Sequence, residues 1–318
     1  MKKVKIFVII FMVKNFGRTR KMKTALGYAK INLHLDITGI MEDGYHSVNT
    51  VMQSLSLCDE VSVSLVCEPV FDAECNVDGV PTDEKNIAVR AAKLYFETVG
   101  ADGGAHIVID KHIPMAAGLA GGSADAAATL VALDSLFGER LGKDKLCELG
   151  AKLGADVPFC VACGTHFSDG RGDILHSFPT LNDSLIFVVA CGGEGVSTPW
   201  GYRLLDETFD RFVGYTPKDT KALRMAIESG DKYAFAEHIF NIFEAPVLRE
   251  RPIAVEIKSI MQSRGAICAM MSGSGPSVFG VFEDEQIASK TAEEIRALGY
   301  FADVARPIGE RYTRCCVK

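Results

Sequence analysis

Apolar and polar residues alternate in two stretches near the start of the chain, and this period of two predicts β-strands. The run 31–37 reads INLHLDI, and the run 61–65 reads VSVSL. Successive side chains of a strand point to opposite faces, so each run can bury one face and leave the other polar. A further strand is predicted at 106–110, where the chain reads HIVID.

Apolar residues recur at helical spacing between and after these strands. The spacing predicts helices at 86–99 and 124–137 in the first half of the chain. Four more helices are predicted in the second half, at 218–229, 232–243, 254–264 and 285–298. Four more strands are predicted there, at 184–191, 266–271, 277–282 and 301–304. The chain therefore mixes α and β segments throughout.

Turn-forming residues in the segment 178–184, FPTLNDS, predict a boundary between two domains. We expect one domain at 22–178 and a second at 179–318. A length of 318 residues is sufficient for two domains, and a composition of 48% hydrophobic and 24% charged residues is ordinary for an enzyme.

Net charge and cysteine content narrow the class of protein. The formal net charge of −7 argues against a sequence-independent nucleic-acid binder, which usually carries a basic surface. Ten cysteines without a regular framework favour reduced thiols, and we expect a cytoplasmic protein. Cys160 and Cys163 lack the second pair that a zinc site needs, so we interpret them as buried structural residues. Cys315 and Cys316 are expected in a surface tail.

The segment 114–129, PMAAGLAGGSADAAAT, carries the strongest chemical signal of the chain. Its glycines lie between the strand predicted at 106–110 and an alanine-rich helix. Free backbone N–H groups and the helix dipole can form a phosphate site at such a helix N-terminus, and Ser123 can add a hydroxyl. A glycine cluster taken alone, however, more often serves only tight helix packing. The spacings of a Walker A loop and of a Rossmann fingerprint are both missing.

Four segments together resemble the motifs of the galactokinase, homoserine kinase, mevalonate kinase and phosphomevalonate kinase (GHMP) superfamily. They are the glycine loop, the run 28–61 beginning YAKINLHLDITG, the run 153–159, LGADVPF, and the run 271–282, MSGSGPSVFGVF. The resemblance extends from about residue 22 to the end of the chain. It implies an α+β, two-domain GHMP-kinase-like fold with the active site in the interdomain cleft. It also implies an ATP-dependent small-molecule kinase that uses Mg²⁺.

Two runs, 29–39 and 43–53, are typical of the branch of this superfamily that phosphorylates a cytidine diphosphate ester for isoprenoid synthesis. The expected acceptor is the 2-hydroxyl of the ester's methylerythritol unit. A homoserine or mevalonate type of kinase would share the glycine loops and Asp156 but lack these runs. A non-catalytic, ligand-sensing relative would be expected to have lost Asp156 or Lys30.

The resemblance assigns the chemistry to Asp156 and Lys30. Asp156 matches the position that takes the proton from the acceptor hydroxyl, although its place before Val-Pro equally suits a helix or turn cap. Lys30 matches the lysine beside that aspartate, where its ammonium would stabilise the emerging alkoxide. Without the resemblance, Lys30 would be interpreted as a surface lysine with a buried stem.

ATP binding is assigned by the same resemblance. Asn86 and Lys111 match residues near the adenosine and its phosphates, and Asn86 also suits the N-cap of the helix that follows it. The phosphate loop is expected to comprise Pro114, Met115, Ala116, Ala117, Gly118, Leu119, Ala120, Gly121, Gly122, Ser123 and Ala124. Many relatives have a second serine at position 124, so this chain lacks one hydroxyl there. No protein ligand of Mg²⁺ can be named, since this ion binds largely through phosphates and water.

The resemblance assigns the cytidine and erythritol parts of the substrate to three residues of the first domain. Tyr45 and His46 match residues that stack on the cytosine ring and hydrogen-bond to its edge. Asn32 would meet the polar erythritol end. Taken alone, Tyr45 and His46 would be interpreted as a capped turn with a satisfied histidine.

Four residues of the second domain complete the predicted substrate site. Thr198 and Tyr202 match a second substrate loop, in which the tyrosine closes over the base. Gly273 and Gly275 lie in a glycine turn predicted to link two strands directly. Both a backbone contact to substrate phosphate and a purely structural hairpin fit this turn.

The first 21 residues require a separate interpretation. Lys2 and Lys3 precede the apolar run 6–13, as in a signal peptide, but no small-residue cleavage site follows. The run is also too short to span a bilayer. Superfamily members generally begin just before the strand at residue 29, so we expect an extension at 1–21 and a natural start at Met22. A membrane-associated N-terminal helix is the alternative.

Overall fold

A mixed seven-stranded sheet forms the centre of the computed structural model, which describes residues 21–310. Its strands are β1 (Met22–Ile40), β2 (His46–Val66), β3 (Phe71–Cys75), β4 (Gly104–Asp110), β5 (Thr165–Asp169), β6 (Ile174–Ser177) and β8 (Phe240–Asn241). The strand order is β3-β4-β2-β1-β8, and β5 pairs with β2 and β6. The strands predicted from alternation at 31–37, 61–65 and 106–110 are thereby confirmed.

Four helices belong to the first half of the chain: α1 (Ile87–Val99), α2 (Gly121–Leu136), α3 (Gly142–Ala151) and α4 (Val157–Ala162). The alanine-rich α2 packs against α1 and against β1 and β2. At Gly27 on β1, a Cβ atom would lie only 2.7 Å from the carbonyl oxygen of Ala124, so the helix approaches the strand closely. This close approach is made possible by a glycine of β1, which lies outside the glycine cluster.

A second sheet of four antiparallel strands belongs to the second half. Its strands are β7 (Ile186–Cys191), β9 (Cys268–Met271), β10 (Val278–Phe282) and β11 (Phe301–Ala305), in the order β11-β7-β10-β9. The remaining helices are α5 (Thr198–Thr208), a 3₁₀ turn (Asp210–Phe212), α6 (Lys221–Ser229), α7 (Lys232–His238), α8 (Glu244–Arg249), α9 (Pro252–Ser263) and α10 (Glu285–Ala297). Helices α9 and α10 pack on the second sheet and enclose a core of their own.

The helix predicted at 232–243 is wrong in its second part. Helix α7 ends at His238, and Phe240 and Asn241 form the short strand β8, which pairs in parallel with His34 and Leu35 of β1. The apolar spacing of this segment suits a helix, but the backbone of Phe240 and Asn241 pairs with the edge of β1 instead. The second half of the chain therefore contributes a strand to the first sheet.

The glycine turn predicted between two strands is confirmed. Met271 and Val278 are the last paired residues of the antiparallel strands β9 and β10. The Ser272 N–H donates to the Ser277 carbonyl at 2.9 Å and the Gly275 N–H donates to the Ser272 carbonyl at 3.0 Å, and these bonds close the turn. The other predicted elements of the second half are confirmed, with ends that differ by a few residues.

Residues 1–20, Cys315 and Cys316 lie outside the described part of the chain. The extension expected at 1–21, its start at Met22 and the tail cysteines stay predictions. Between residues 21 and 310, no helix is both long enough and apolar enough to cross a membrane. Cys160 and Cys163 are buried, as expected for structural residues.

Candidate active site

One large cleft opens between the phosphate loop, the strands β1 and β2, and the helices α4 and α5. Its volume is about 510 Å³, which falls within the range of small-molecule sites. Most of the site residues predicted from the sequence line it: Lys30, Asn32, Asn86, Lys111, Pro114, Met115, Ala116, Ala117, Gly118, Ala120, Gly121, Gly122, Ser123, Asp156, Thr198, Tyr202 and Gly273. The fold thus brings together residues from both halves of the chain.

Five predicted site residues do not line this cleft: Leu119, Ala124, Tyr45, His46 and Gly275. Leu119 and Ala124 are buried in the core, so their side chains support the loop from behind. At Gly275 a Cβ atom would lie 2.6 Å from the sulfur of Met271, which indicates a packing position. Tyr45 and His46 lie beside the cleft and contact residues that line it.

The phosphate loop has a left-handed backbone at three alternate positions. Ala116, Gly118 and Ala120 have φ values of 50°, 78° and 58°. Ala120 is the N-cap of α2 and provides no side-chain hydrogen bond to the first turn. The N–H groups at this helix terminus therefore keep their donor capacity for an anion.

The loop 272–277 fixes the phosphate loop from one side. Ser272 Oγ donates to the carbonyl oxygen of Gly118 at 3.1 Å, and the Ser277 N–H donates to the Ala117 carbonyl at 3.2 Å. A Cβ atom on Gly118 would lie 2.2 Å from the Ser272 carbonyl oxygen. Because no side chain fits between these two backbones, position 118 requires glycine for its contact as well as for its φ.

Lys30 and Asp156 form the charged centre of the cleft. Lys30 Nζ lies 4.0 Å from Asp156 Oδ2, and it donates to Asn32 Oδ1 at 2.7 Å and to the Gly118 carbonyl at 3.1 Å. The Lys30 side chain is 5% exposed, whereas that of Asp156 is 37% exposed. Asp156 is the N-cap of α4 but makes no capping hydrogen bond. Its carboxylate is therefore free to meet a ligand.

Asn32 is held in place by a short chain of hydrogen bonds. Its Nδ2 donates to Thr50 Oγ1 at 2.8 Å, and that hydroxyl donates to the carbonyl oxygen of His34 at 2.7 Å. With Lys30 bonded to its Oδ1, the Asn32 amide is fixed in one orientation. Such fixed polar groups can orient a ligand without moving themselves.

Lys111 belongs to a buried charge cluster. Its Nζ donates to Asp59 Oδ2 at 2.6 Å and to Asp125 Oδ2 at 2.8 Å. Burial alone would lower the pKa of Lys111, but the two carboxylates outweigh burial and raise it. We call Asp59, Lys111 and Asp125 the buried triad. The Lys111 ammonium, predicted to lie near the nucleotide, is thus already paired by two carboxylates.

Asn86 performs the structural function that its residue type suggests. Its Oδ1 accepts the N–H of Ala88 at 2.9 Å as the N-cap of α1, and its Nδ2 donates to the Pro81 carbonyl at 2.8 Å. Asn86 nevertheless lines the cleft, next to Lys85. The cap and the cleft position are compatible, because the same hydrogen bonds hold the residue at the edge of the site.

An aromatic group lies on the side of the cleft formed by α5, which we call the aromatic end. The rings of His46 and Tyr202 stack at 4.7 Å, and Tyr202 meets Phe243 edge-on at 5.1 Å. His46 Nε2 lies 2.7 Å from Oδ1 of Asp206, a residue of α5, and this contact fixes the orientation of the imidazole. Burial, with a smaller effect of Asp156, raises the pKa of Tyr202 to about 12, so its phenol stays neutral.

Arg171 is a cleft residue that sequence reasoning missed. Its guanidinium lies 4.1 Å from the centre of the Tyr45 ring, and it pairs with Asp43. Arg171 lies in the Gly-Arg-Gly turn between β5 and β6, whereas Tyr45 is 59% exposed just before β2. The one available signal was this basic residue flanked by glycines, which carries no spacing that identifies a site.

Two family profiles match the chain in the two halves described above. The GHMP kinases N terminal domain matches residues 86–164, and the GHMP kinases C terminal domain matches residues 223–300. A homoserine kinase structure from Cytophaga hutchinsonii shares the fold, with a TM-score of 0.71 at 19% identity over 93% of this chain and 97% of that one. The fold and the site define a GHMP kinase, an ATP-dependent kinase of small molecules.

More similar relatives narrow the family. The 4-diphosphocytidyl-2-C-methyl-D-erythritol kinase of Acaryochloris marina is 39% identical over 84% of this chain and 89% of its own length. That of Clostridium novyi is 39% identical over 85% and 94%, respectively. A crystal structure of 4-(cytidine 5'-diphospho)-2C-methyl-D-erythritol kinase matches with a TM-score of 0.73 and 33% identity, over 90% of this chain and 99% of that one. The chain belongs to the family of 4-diphosphocytidyl-2-C-methyl-D-erythritol kinases.

Proposed function

We propose that this protein transfers the γ-phosphoryl group of ATP to the 2-hydroxyl of 4-diphosphocytidyl-2-C-methyl-D-erythritol, a step of the non-mevalonate isoprenoid pathway. The observation that carries the proposal is the Lys30–Asp156 pair, which shares one cleft with the N-terminus of α2. The names of the relatives support the substrate. The homoserine and mevalonate types of kinase are disfavoured, because their structures share only the fold at under 20% identity.

In this proposal Asp156 accepts the proton of the acceptor hydroxyl as the oxygen attacks the γ-phosphorus. The O–H bond breaks, the new O–P bond forms, and the bond to the β-phosphate oxygen breaks to release ADP. Lys30 lies 4.0 Å from the Asp156 carboxylate, so its ammonium can stabilise the charge that develops on the acceptor oxygen. Retention of both residues argues against a non-catalytic, ligand-sensing relative.

The N–H groups at the start of α2 are proposed to hold the ATP phosphates. Mg²⁺, when bound, would neutralise part of the phosphate charge. Among residues 21–310 no group of three or more metal-binding side chains exists. The half-exposed carboxylate of Asp156 suits an ion that keeps most of its ligands as water and phosphate, so the residues present are compatible with magnesium.

The aromatic end of the cleft is proposed to hold the cytidine. Tyr202 presents a neutral ring there, and His46 is stacked behind it. Tyr45 is the most exposed aromatic residue nearby, and Arg171 beside it can meet a diphosphate. Asn32 and Thr198 also line the cleft, and Asn32 is bonded to Lys30, so the erythritol unit is proposed to lie beside them.

Domain limits and cellular location complete the proposal. We place the two domains at 22–178 and 179–318. Two contacts of the second domain reach the first sheet: β8 pairs with β1, and the Ile308 N–H donates to the Ser54 carbonyl of β2. The cysteines between residues 21 and 310 form no disulfide, which supports the proposal of a cytoplasmic protein.

The experiment that tests the function is a panel of acceptors with purified protein, ATP and Mg²⁺, read by ADP release. The cytidine diphosphate ester should be phosphorylated, whereas free methylerythritol phosphate, homoserine and mevalonate should be very poor acceptors. Phosphorus NMR of the product should show the new phosphate on the 2-hydroxyl. Equal turnover of the ester and of methylerythritol phosphate would contradict the cytidine assignment.

A further inference from the structure

The buried triad contains one more carboxylate than ammonium groups. Lys111 is shared between Asp59 and Asp125, and all three side chains are at most 5% exposed. With both carboxylates ionised, the triad would hold one net negative charge away from water. A buried, uncompensated charge is costly, and a bound proton removes it.

The hydrogen bonds identify which carboxylate holds that proton. Asp59 Oδ1 accepts the backbone N–H groups of His112 and Ile113 at 2.6 Å and 2.8 Å, so this oxygen already serves as the acceptor of two donors. Asp125 Oδ1 is buried and has no hydrogen-bond partner among residues 21–310. Burial, together with the charge of Asp59, raises the pKa of Asp125 to about 8 despite the Lys111 ammonium.

The triad lies directly behind the anion-binding end of α2. Asp125 is in the second turn of this helix, and a Cβ atom on Gly121 would lie 3.2 Å from Lys111 Nζ. Both Lys111 and Asp125 line the cleft. A negative charge at this place would oppose the positive end of the helix dipole, on which phosphate binding depends.

We infer that Asp125 is a positioning residue for ATP, whose protonated carboxyl keeps the buried triad neutral and so preserves the positive potential at the N-terminus of α2. The inference rests on the proposed function, because it takes ATP as the ligand of the phosphate loop. ATP should therefore bind more weakly when Asp125 loses its proton, at pH values where the phosphates themselves have already ionised.

The other titratable groups around Asp125 do not account for such a change. Those that face it are Lys111 after β4, Asp59 on β2 and Cys160 on α4, with Lys30 on β1 and Asp156 before α4 nearby in the cleft. Burial raises the pKa of the Cys160 thiol well above its ordinary value, so this thiol stays neutral. The pKa of Lys111 is also raised, which keeps its charge constant.

The test measures binding of a non-hydrolysable ATP analogue with Mg²⁺ to the full chain by calorimetry, from about pH 7.5 to about pH 9.5, above the last ionisation of phosphate. The Kd of the unaltered protein should rise about three- to tenfold over this range. In Asp125→Asn, which keeps the shape but cannot titrate, the rise should be less than about twofold. Asp134→Asn, which removes a buried carboxylate farther along the same helix and outside the cleft, should keep the original pH profile.

The possible outcomes separate the inference from the proposed function. A constant Kd in the unaltered protein, or an unchanged rise in Asp125→Asn, would overturn the inference alone. Failure of the analogue to bind at every pH would overturn both. If Asp125→Asn does not fold, carbon NMR of the unaltered protein labelled at its aspartate carboxyls decides the question. One aspartate carboxyl must then titrate over the pH range in which the Kd rises. If no aspartate carboxyl titrates in that range, the inference is overturned.

Discussion

The proposed nucleotide half and the proposed substrate half of the cleft differ in the groups that form them. The nucleotide half consists of backbone, with left-handed residues and a helix terminus supported by the buried triad. The substrate half consists of side chains such as Tyr202 and Arg171, with Tyr45 packed beside Arg171 outside the cleft lining. The nucleotide half is therefore held rigid by packing, whereas the shape of the substrate half depends on pairs of side chains.

This difference follows from the two ligands proposed. A phosphate group is recognised by N–H donors that every residue possesses, so its site depends on backbone shape. A pyrimidine ring requires a flat apolar surface and a polar edge, which only side chains provide. We therefore expect changes in the nucleotide half to affect folding and function together, and changes in the substrate half to affect affinity for one ligand.

The largest effect is expected at the point where both halves meet. Asp156→Asn keeps the shape of the side chain but removes the proton acceptor, so kcat should fall by roughly 10²–10⁴ with little change in either KM. Steady-state kinetics with the cytidine ester measures this. Asp102→Asn, in an exposed loop, serves as the control and should leave kcat unaltered. Near-normal turnover of Asp156→Asn would show that this carboxylate is structural.

A smaller effect is expected from a methyl group in the rigid half. In Gly118→Ala the new Cβ meets the Ser272 carbonyl at 2.2 Å and the residue must keep a positive φ, so the free energy of unfolding should fall by about 2–4 kcal/mol. Denaturant unfolding measures it. Gly122→Ala is the matched control, because its Cβ meets only Ile87 at 3.6 Å inside a helix. That variant should be at least as stable as the original protein.

The substrate half should respond in affinity for one ligand only. Asp206→Ala removes the carboxylate that holds His46, so KM for the cytidine ester should rise about tenfold while KM for ATP stays unchanged. Glu207→Ala changes the exposed neighbour on the same helix and should alter neither value. An equal rise of both KM values in Asp206→Ala would contradict the assignment of the two halves of the cleft to different ligands.

The smallest effect is expected in the fluorescence of Trp200, the single tryptophan of the chain. Trp200 lies on α5 between the cleft residues Thr198 and Tyr202, but it packs against a hydrophobic cluster beneath Arg251 and does not line the cleft. CDP should therefore cause a small, saturable change through α5, and an ATP analogue an even smaller one. Paired titrations, with Trp200→Phe as the blank, measure both. A larger response to the ATP analogue would contradict the assignment of α5 to the substrate half.

Sequence periodicity predicted most elements, but it failed where a distant partner decided the outcome. The helices predicted at 86–99 and 285–298 are each capped by a local residue, Asn86 and Asp284, respectively. The first residue of each helix can therefore be predicted from the sequence alone. Phe240 and Asn241 have no comparable local signal, since they become a strand only by pairing with β1. The polar residues of β1 were likewise expected on an open face, yet Asn32, His34 and Asp36 are buried.

The sequence by itself determined the local components of this protein. Strand, glycine loop and alanine-rich helix follow one another in the chain, so their order is visible without a structure. The resemblance to the GHMP kinases, confirmed by the comparisons, rests on these contiguous motifs. Such motifs can be recognised because the dihedral preferences of glycine and the donor groups at a helix N-terminus are properties of neighbouring residues.

Only the tertiary structure decided how charges and loops meet across the fold. Lys111 pairs with Asp59, 52 residues away, and with Asp125, 14 residues away. Arg171 reaches Asp43, 128 residues away, and Ser272 reaches Gly118, 154 residues away. These contacts exist because strands and helices bury their apolar faces together, and that packing brings distant polar groups into one place. No spacing along the chain encodes such distances, since each depends on the path of every segment between the two residues.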